Sequence, residues 1–386
     1  MKKLIQRAQS KVCFAVCKNF GQNGLRRELR PNGKKMQWMV IAAIFSFCGC
    51  LTAAAQETEQ FSIATLNVDG LPQKLLVWNL NAEGPGSAGS ARIGKYLVRK
   101  GYDLVMMQED FNYHEELATH LTDEYALDEW SGGVNVEDYD FTNPNFRFAC
   151  DGLMAAVRTL TDFSKRTAWE DYYGRMDHAW DGMVTKGFRR YELTLAGGTE
   201  IVVYNMHMDA EDEGDDVAGD REARKGQWQQ LCEEITEKLD ERPIIVVGDM
   251  NSLYDRDPIR ELFTDKISAT GKATVGDAWV EIGEGDETLD KIMYVNPTGG
   301  TGVKPIAYEC DREGYRYDGK PLGDHYPVAV TFEVVKGETG IAAIRGSEVE
   351  RLKSPQVQGY HDLTGRRVTE PKKGIYINKE RKVVVY

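Results

Sequence analysis

Ile-Ile-Val-Val-Gly-Asp-Met-Asn at 244–251 places four branched apolar residues directly before a glycine, a carboxylate and an amide. Four such residues make a short strand, and without polar alternation both of its faces must be covered. Asp249 and Asn251 then emerge at the strand's end, held by a rigid element and set at the sheet rim. The arrangement recurs on either side. Runs at 61–66, 104–107, 153–157, 201–204, 292–295 and 328–332 also read as buried strands. Asn67, Glu109 and His207 follow three of these runs, and Asp324 with His325 precedes the last. Between them, Trp228, Leu231, Cys232, Ile235 and Leu239 recur at helical spacing over 221–239. A second helix is expected over 91–100, closed by Gly101 at its C-cap. Strands mixed with helices predict an α/β or α+β domain over 57–335.

Composition agrees with a packed enzyme-sized chain. Of 386 residues 41% are hydrophobic, which excludes a wholly disordered polymer, and 38 Gly with 12 Pro exclude a collagen-like array. The ends differ from the middle. A 14-residue apolar run at 38–51 follows Lys34-Lys35 and precedes Thr-Ala-Ala-Ala-Gln at 52–56. This predicts a secretory signal peptide cleaved after Ala55, with 1–35 as an upstream basic region and Met36 as a natural start; a buried helix is the alternative. The segment 1–55 holds six Lys and four Arg against one Glu, so the chain beyond it carries −22 instead of −13. Such a chain gains nothing from long-range attraction to a phosphate polyanion. Only Cys150, Cys232 and Cys310 follow the predicted cleavage point, too few for a disulfide-built scaffold.

Seven motifs occur in order along 57–335: Thr-Leu-Asn-Val-Asp-Gly-Leu-Pro at 65–72, Met-Gln-Glu-Asp at 107–110, Asp-Gly-Leu-Met-Ala-Ala-Val-Arg at 151–158, Asn-Met-His-Met-Asp-Ala at 205–210, Val-Val-Gly-Asp-Met-Asn at 246–251, Leu-Asp-Lys-Ile-Met-Tyr at 289–294 and Gly-Asp-His-Tyr-Pro-Val at 323–328. Together they resemble the endonuclease/exonuclease/phosphatase superfamily, the fold of pancreatic deoxyribonuclease and neutral sphingomyelinases. The resemblance implies a four-layer α/β/β/α sandwich of two mixed β-sheets in the α+β class, with the site between the sheet edges. It also implies a divalent cation, Mg²⁺ or Mn²⁺, to neutralise a phosphate. Glu109 matches the family's principal metal carboxylate, and Asn67 and Asn251 match amides that contact metal or phosphate. Asp249 matches the carboxylate that orients or deprotonates water. His325 with Asp290 matches a histidine and its orienting carboxylate, and His207 the histidine facing the phosphate or leaving group. Asp324 would complete the site as a metal or proton-handling carboxylate. Two positions depart from the family: Lys291, where Tyr is frequent, and Gly323, where Ser is.

The C-terminal 337–386 is basic, with β-prone runs at 358–363, 374–378 and 382–386. Tyr-His-Asp-Leu-Thr-Gly-Arg-Arg-Val at 360–368, followed by Pro-Lys-Lys-Gly-Ile-Tyr-Ile at 371–377, resembles the sorting domain of type IX secretion in Bacteroidota. The alternative is a small β-module that docks on the enzyme. Secretion or surface display is the expectation either way.

Other patterns are weaker. Gly84-Pro-Gly-Ser-Ala-Gly89 satisfies the dinucleotide-binding spacing, but its preceding strand is too short and Pro85 sits inside the turn, so a loop beside the active site is expected. His114 and His120 lack the spacing of a zinc protease. The acidic run 209–220 reads as a solvated loop, with an extra cation site or a charge gate near His207 as the functional alternative. Three functions follow: a phosphodiesterase acting on a phospholipid head group, favoured by the Asn-Val-Asp-Gly-Leu-Pro and Asp-His-Tyr-Pro-Val strings; a nuclease; or a non-catalytic binding module. Tyr308, Tyr315 and Tyr317 are candidates for touching a membrane surface, packed strand tyrosines being the alternative. No obligate protein partner is indicated.

Overall fold

The computed structural model describes residues 58–335 except 76–77, 144, 159–160, 170–175, 212–216 and 258, and the strands of the C-terminal tail. The chain divides into two units, Met1–Glu57 and Thr58–Tyr386. The predicted signal peptide lies outside the described residues.

The strands in chain order are β1 (Gln60–Asn67), β2 (Lys74–Leu75), β3 (Trp78–Asn79), β4 (Leu104–Gln108), β5 (Ala126–Leu127), β6 (Met154–Val157), β7 (Thr161–Ala168) and β8 (Gly187–Thr194). They continue as β9 (Glu200–His207), β10 (Ile244–Asp249), β11 (Ala273–Asp277), β12 (Asp290–Pro297), β13 (Gly302–Cys310), β14 (Arg316–Tyr317), β15 (Lys320–Pro321) and β16 (Val328–Val335). The helices are α1 (Gly86–Lys100), α2 (His114–Ala118), α3 (Val217–Glu237), α4 (Ile259–Ser268) and α5 (Ala278–Ile282).

Two six-stranded sheets result, ordered β13-β16-β1-β4-β6-β5 and β11-β12-β10-β9-β8-β7. Both are mixed in the same way. A central parallel pair, β1 with β4 and β9 with β10, is flanked by antiparallel neighbours. Alternation along each strand then builds the layers. Ile63, Leu104, Met106, Val203, Ile245, Val247 and Ile292 face inward and form the core between the sheets. Val202, Tyr204, Ile244 and Val246 face outward, against Trp228, Leu231, Cys232 and Ile235 of α3 and Phe263 of α4. Leu66, Val105 and Met107 pack outward on Ile93 and Leu97 of α1 and on Leu117. Each such buried side chain contributes about 1.5–3 kcal/mol of transfer free energy. The predicted four-layer sandwich is therefore the architecture found.

Two expectations are corrected here. The glycine-rich segment is no loop beyond Pro85: helix α1 begins at Gly86, and Gly86–Gly89 form its first turn. At the other end of α1, Gly101 caps it in the left-handed conformation (φ 71°), as expected. The three tyrosines do not form one surface either. Tyr315 is fully buried against Tyr96, Tyr308 packs on the central core, and only Tyr317 is exposed, beneath Arg92. In the tail, strands at Tyr360–His361, Arg367–Val368, Gly374–Asn378 and Arg381–Val385 pair as a four-stranded sheet.

Candidate active site

Strand parity decides which side chains meet. Residues 61, 63, 65 and 67 of β1 share the inner face, as do 203, 205 and 207 of β9, 245, 247 and 249 of β10, and 290, 292 and 294 of β12. Register then aligns the ends: Asp249 lies opposite both His207 and Asp290, and Asn67 lies opposite Gln108. Asn67, His207, Asp249 and Asp290 accordingly project into the gap between the sheets at one rim. His325 joins them because β16 starts at Val328, beside Thr65 of β1.

Asp249 is the centre of the cluster. Its Oδ2 accepts from Asn67 Nδ2 at 3.1 Å and lies 3.6 Å from His207 Nε2 and 3.6 Å from His325 Nε2. Its Oδ1 accepts from the Asn251 N–H at 2.9 Å. Asn67 Nδ2 also donates to Glu109 Oε1 at 2.8 Å, so one amide bridges two carboxylates. His207 Nε2 stands 3.9 Å from Glu109 Oε1. His325 Nδ1 is hydrogen-bonded to Asp290 Oδ2 at 2.7 Å, which holds that ring with Nε2 toward Asp249.

The backbone is bent to make this possible. Among the described residues four non-glycines have positive φ, and three of them are Asp69 (52°), Glu109 (56°) and Asn251 (47°). Such conformations cluster where a site over-determines the chain. Gly70 is required beside them, since a Cβ there would lie 2.3 Å from the Glu109 carbonyl oxygen. Beneath the site a buried amide pair ties the sheets together. Gln108 Nε2 donates to Asn205 Oδ1 at 2.7 Å, and Asn205 Nδ2 donates to the Met107 and Met154 carbonyls.

The environments push the titratable groups apart. Burial opposes charge on His325, but the facing Asp290 and Asp249 outweigh it and lift the imidazole to about 11. Burial and then the Lys186 ammonium hold His207 down to about 3, so that ring is neutral at pH 7. Burial alone would raise Asp249; His325 and His207 reverse the effect and keep it ionised. Burial raises Glu109 to about 7, opposed by Asn67 and Lys186 and aided by Asp324. Burial and the nearby Asp324 likewise raise Asp69 to about 6.

The donor set bears on the expected cation. Glu109, Asp249, Asp69 and Asp324 bring oxygen donors to one rim, and Glu109 is held above its ordinary range by burial, with Asp324 adding to the effect. Hard oxygen ligands gathered at one rim suit Mg²⁺ or Mn²⁺. Asp249, Asp290 and His325 also offer ligand atoms within 4.8 Å of one another. His325 Nδ1 and Asp290 Oδ2, however, are already spent on each other, which favours a dyad over a second ligand set.

Of the eight residues expected from sequence, six meet in this cluster. The other two sit differently. Asn251 commits its amide nitrogen to the Met208 carbonyl at 2.9 Å, so its side chain ties β10 to the end of β9. Asp324 is exposed at the mouth, where its N–H donates to the Asp69 carboxylate. The acidic run is also not a solvated loop at its described ends. Asp209 and Asp220 are buried, and Glu211 pairs with Arg224. Sequence reasoning missed Lys186, Asp69, Gln108 and Asn205. Gln108 and Asn205 carried a signal, since both are polar at inward-facing positions of otherwise apolar strands.

No family model matches the chain. A search of curated proteins finds it similar to the sphingomyelinases of Mycobacterium bovis and Mycobacterium tuberculosis, 26% identical over a gapped alignment of 309 positions that covers 73% of this chain and 54% of theirs. The chain thus spans about half the length of the curated relatives it matches. Among solved structures, sphingomyelinase C from Streptomyces griseocarneus superposes with a TM-score of 0.50 at 18% identity over 71% of this chain and 99% of that one. SmcL superposes at 0.51 with 15% identity over the same shares. The two-sheet α+β sandwich is like that of the sphingomyelinases.

Proposed function

We propose that this protein is a divalent-cation-dependent phosphodiesterase that hydrolyses a phospholipid of the sphingomyelin type at its head group. The observation that carries the reading is Asp249, an ionised carboxylate with one imidazole on each side at 3.6 Å and an amide bridging it to Glu109. Phosphodiester hydrolysis needs an oriented water, stabilisation of charge on phosphorus and a proton for the departing oxygen. Asp249 orients and accepts from the water. The His325 imidazolium, fixed by Asp290, places positive charge and a proton toward the phosphate, and neutral His207 offers a hydrogen bond from the other side. Glu109, with Asn67 and Asp324, would hold a Mg²⁺ or Mn²⁺ ion, which supplies Lewis-acid neutralisation of the phosphate oxygens.

A lipid substrate is supported by the curated relatives, which carry the name sphingomyelinase. It is also supported by the charge of −13, which does not draw a polyanion toward the site. A leader over 1–55 and a sorting role for 337–386 belong to the same proposal, which places the enzyme outside the cell. The test is a parallel assay of sphingomyelin, plasmid DNA and bis-nitrophenyl phosphate, with and without chelator. Sphingomyelin turnover abolished by chelator and restored by Mg²⁺ is expected. Turnover of DNA alone would replace the lipid reading with the nuclease one, and full turnover in excess chelator would remove the cation.

A further inference from the structure

His325 is aimed by Asp290, but His207 has no such partner: its Nδ1 is buried and without a hydrogen bond among the described residues. Its aim therefore depends on the backbone beneath it. That backbone leaves the ladder just beyond it: β9 ends at His207, and the Met208 N–H still donates to the Asp249 carbonyl at 3.0 Å. Side chains hold the other backbone groups from the His207 carbonyl to the Ala210 N–H. The His207 carbonyl accepts from Trp169 Nε1 at 3.2 Å, and the Asp209 N–H donates to Gln227 Oε1 at 3.0 Å. The Asp209 carbonyl accepts from Arg224 Nη1 at 3.2 Å. The Met208 carbonyl accepts twice, from Lys186 Nζ at 3.0 Å and from Asn251 Nδ2 at 2.9 Å. The Ala210 N–H donates to Asp181 Oδ2 at 2.6 Å.

Lys186 and Asp181 are themselves an ion pair, with side chains 4% and 15% exposed. One pair therefore grips both sides of the turn, a carbonyl at Met208 and an N–H at Ala210. Stability alone is a poor reason for it, because a buried ion pair is often no better than apolar side chains of the same size. We propose that the Lys186–Asp181 pair is a positioning device that acts through the Met208 carbonyl to aim His207 and Asn251 together. Neither residue touches the reacting phosphate. They set where the imidazole and the amide stand, in the way that outer partners orient the groups that do the chemistry.

The test uses the full chain and Lys186→Met, which keeps the stem length and removes the donor. Its structural arm is amide hydrogen exchange. Exchange at Met208, Asp209 and Ala210 rises about tenfold or more, while the amides of β12 are unchanged. Unchanged exchange at 208–210 would overturn the device whatever the enzyme does. The activity arm rests on the phosphodiesterase reading. Lys186→Met lowers kcat about 10–100-fold at nearly constant KM, and Lys186→Arg restores most of it. In a His207→Ala background the same substitution costs clearly less than in the wild type, because part of its effect runs through His207. An equal loss in both backgrounds, or a loss confined to KM, would refute the positioning role. A wild type with no turnover on any phosphodiester would remove the functional reading, and the exchange rates would still decide the device.

Discussion

Two histidines in one cluster have opposite protonation because burial holds both down and only His325 has facing carboxylates that outweigh it. His325 Nδ1 meets a carboxylate at 2.7 Å, whereas His207 Nδ1 is buried without a hydrogen bond among the described residues, and the Lys186 ammonium adds to the effect of burial on that ring. The Asp290→Asn variant isolates the first effect. An amide accepts or donates in place of the carboxylate but no longer stabilises the imidazolium, so His325 loses charge and its fixed tautomer. We expect kcat to fall about 10²–10⁴-fold with KM little changed, the range typical of acid–base groups. A kcat within twofold of wild type would show that the dyad does not act on the reaction. The identity of this dyad was not legible in composition or periodicity. Asp290 and His325 lie 35 residues apart in sequence, and only the motif resemblance joined them before the antiparallel pairing of β10 with β12 did.

Strand β10 shows what an element contributes beyond its apolar residues. Gly248 has φ 148° and lies opposite Met206 of β9, where an added Cβ would come 2.0 Å from the Met206 carbonyl oxygen. The obstruction is backbone of a central strand, so it cannot rotate away. Gly248→Ala should destabilise the fold by at least about 1–3 kcal/mol, the usual cost of a non-glycine forced into such a conformation. Urea unfolding measures this directly, and a midpoint equal to wild type would mean that the two strands part locally at no cost. Elements were the most readable scale. Runs without alternation, such as 244–247, announced strands covered on both faces, and their polar ends marked Asn67, His207 and Asp249 as groups at the sheet rim. Strands β8 and β13 escaped notice because charged residues interrupt them: Arg189 and Arg190 in one, Lys304 and Glu309 in the other. In β8 the interruption has a buried purpose, since Arg189 is paired with Asp151 and Asp128 inside the fold. Lys186 was invisible for a different reason. A lysine just ahead of a strand carries no mark that its ammonium turns inward to a carbonyl 22 residues later.

At the scale of the molecule the two sheets act as a vice whose open rim collects acids faster than it collects bases. Glu109, Asp249, Asp290, Asp69 and Asp324 converge there, and burial, with Asp324 adding to it, raises Glu109 to about 7 and Asp69 to about 6. Bringing these carboxylates together costs folding free energy that a bound cation would return. A ligand that binds only the folded state stabilises it by about 2.7 kcal/mol at a hundred times its Kd. Millimolar Mg²⁺ should therefore raise the melting temperature of the wild type, an effect that needs no substrate. Glu109→Gln removes the principal proposed ligand and also one repelling charge. That variant should melt at or above the wild type in chelator, yet gain little from Mg²⁺. The crossing of these two responses is the signature of a carboxylate kept for a cation and not for the fold. If Glu109→Gln gained as much from Mg²⁺ as the wild type, the ion would have to bind elsewhere, and Asp249 with Asp290 would become the place to look.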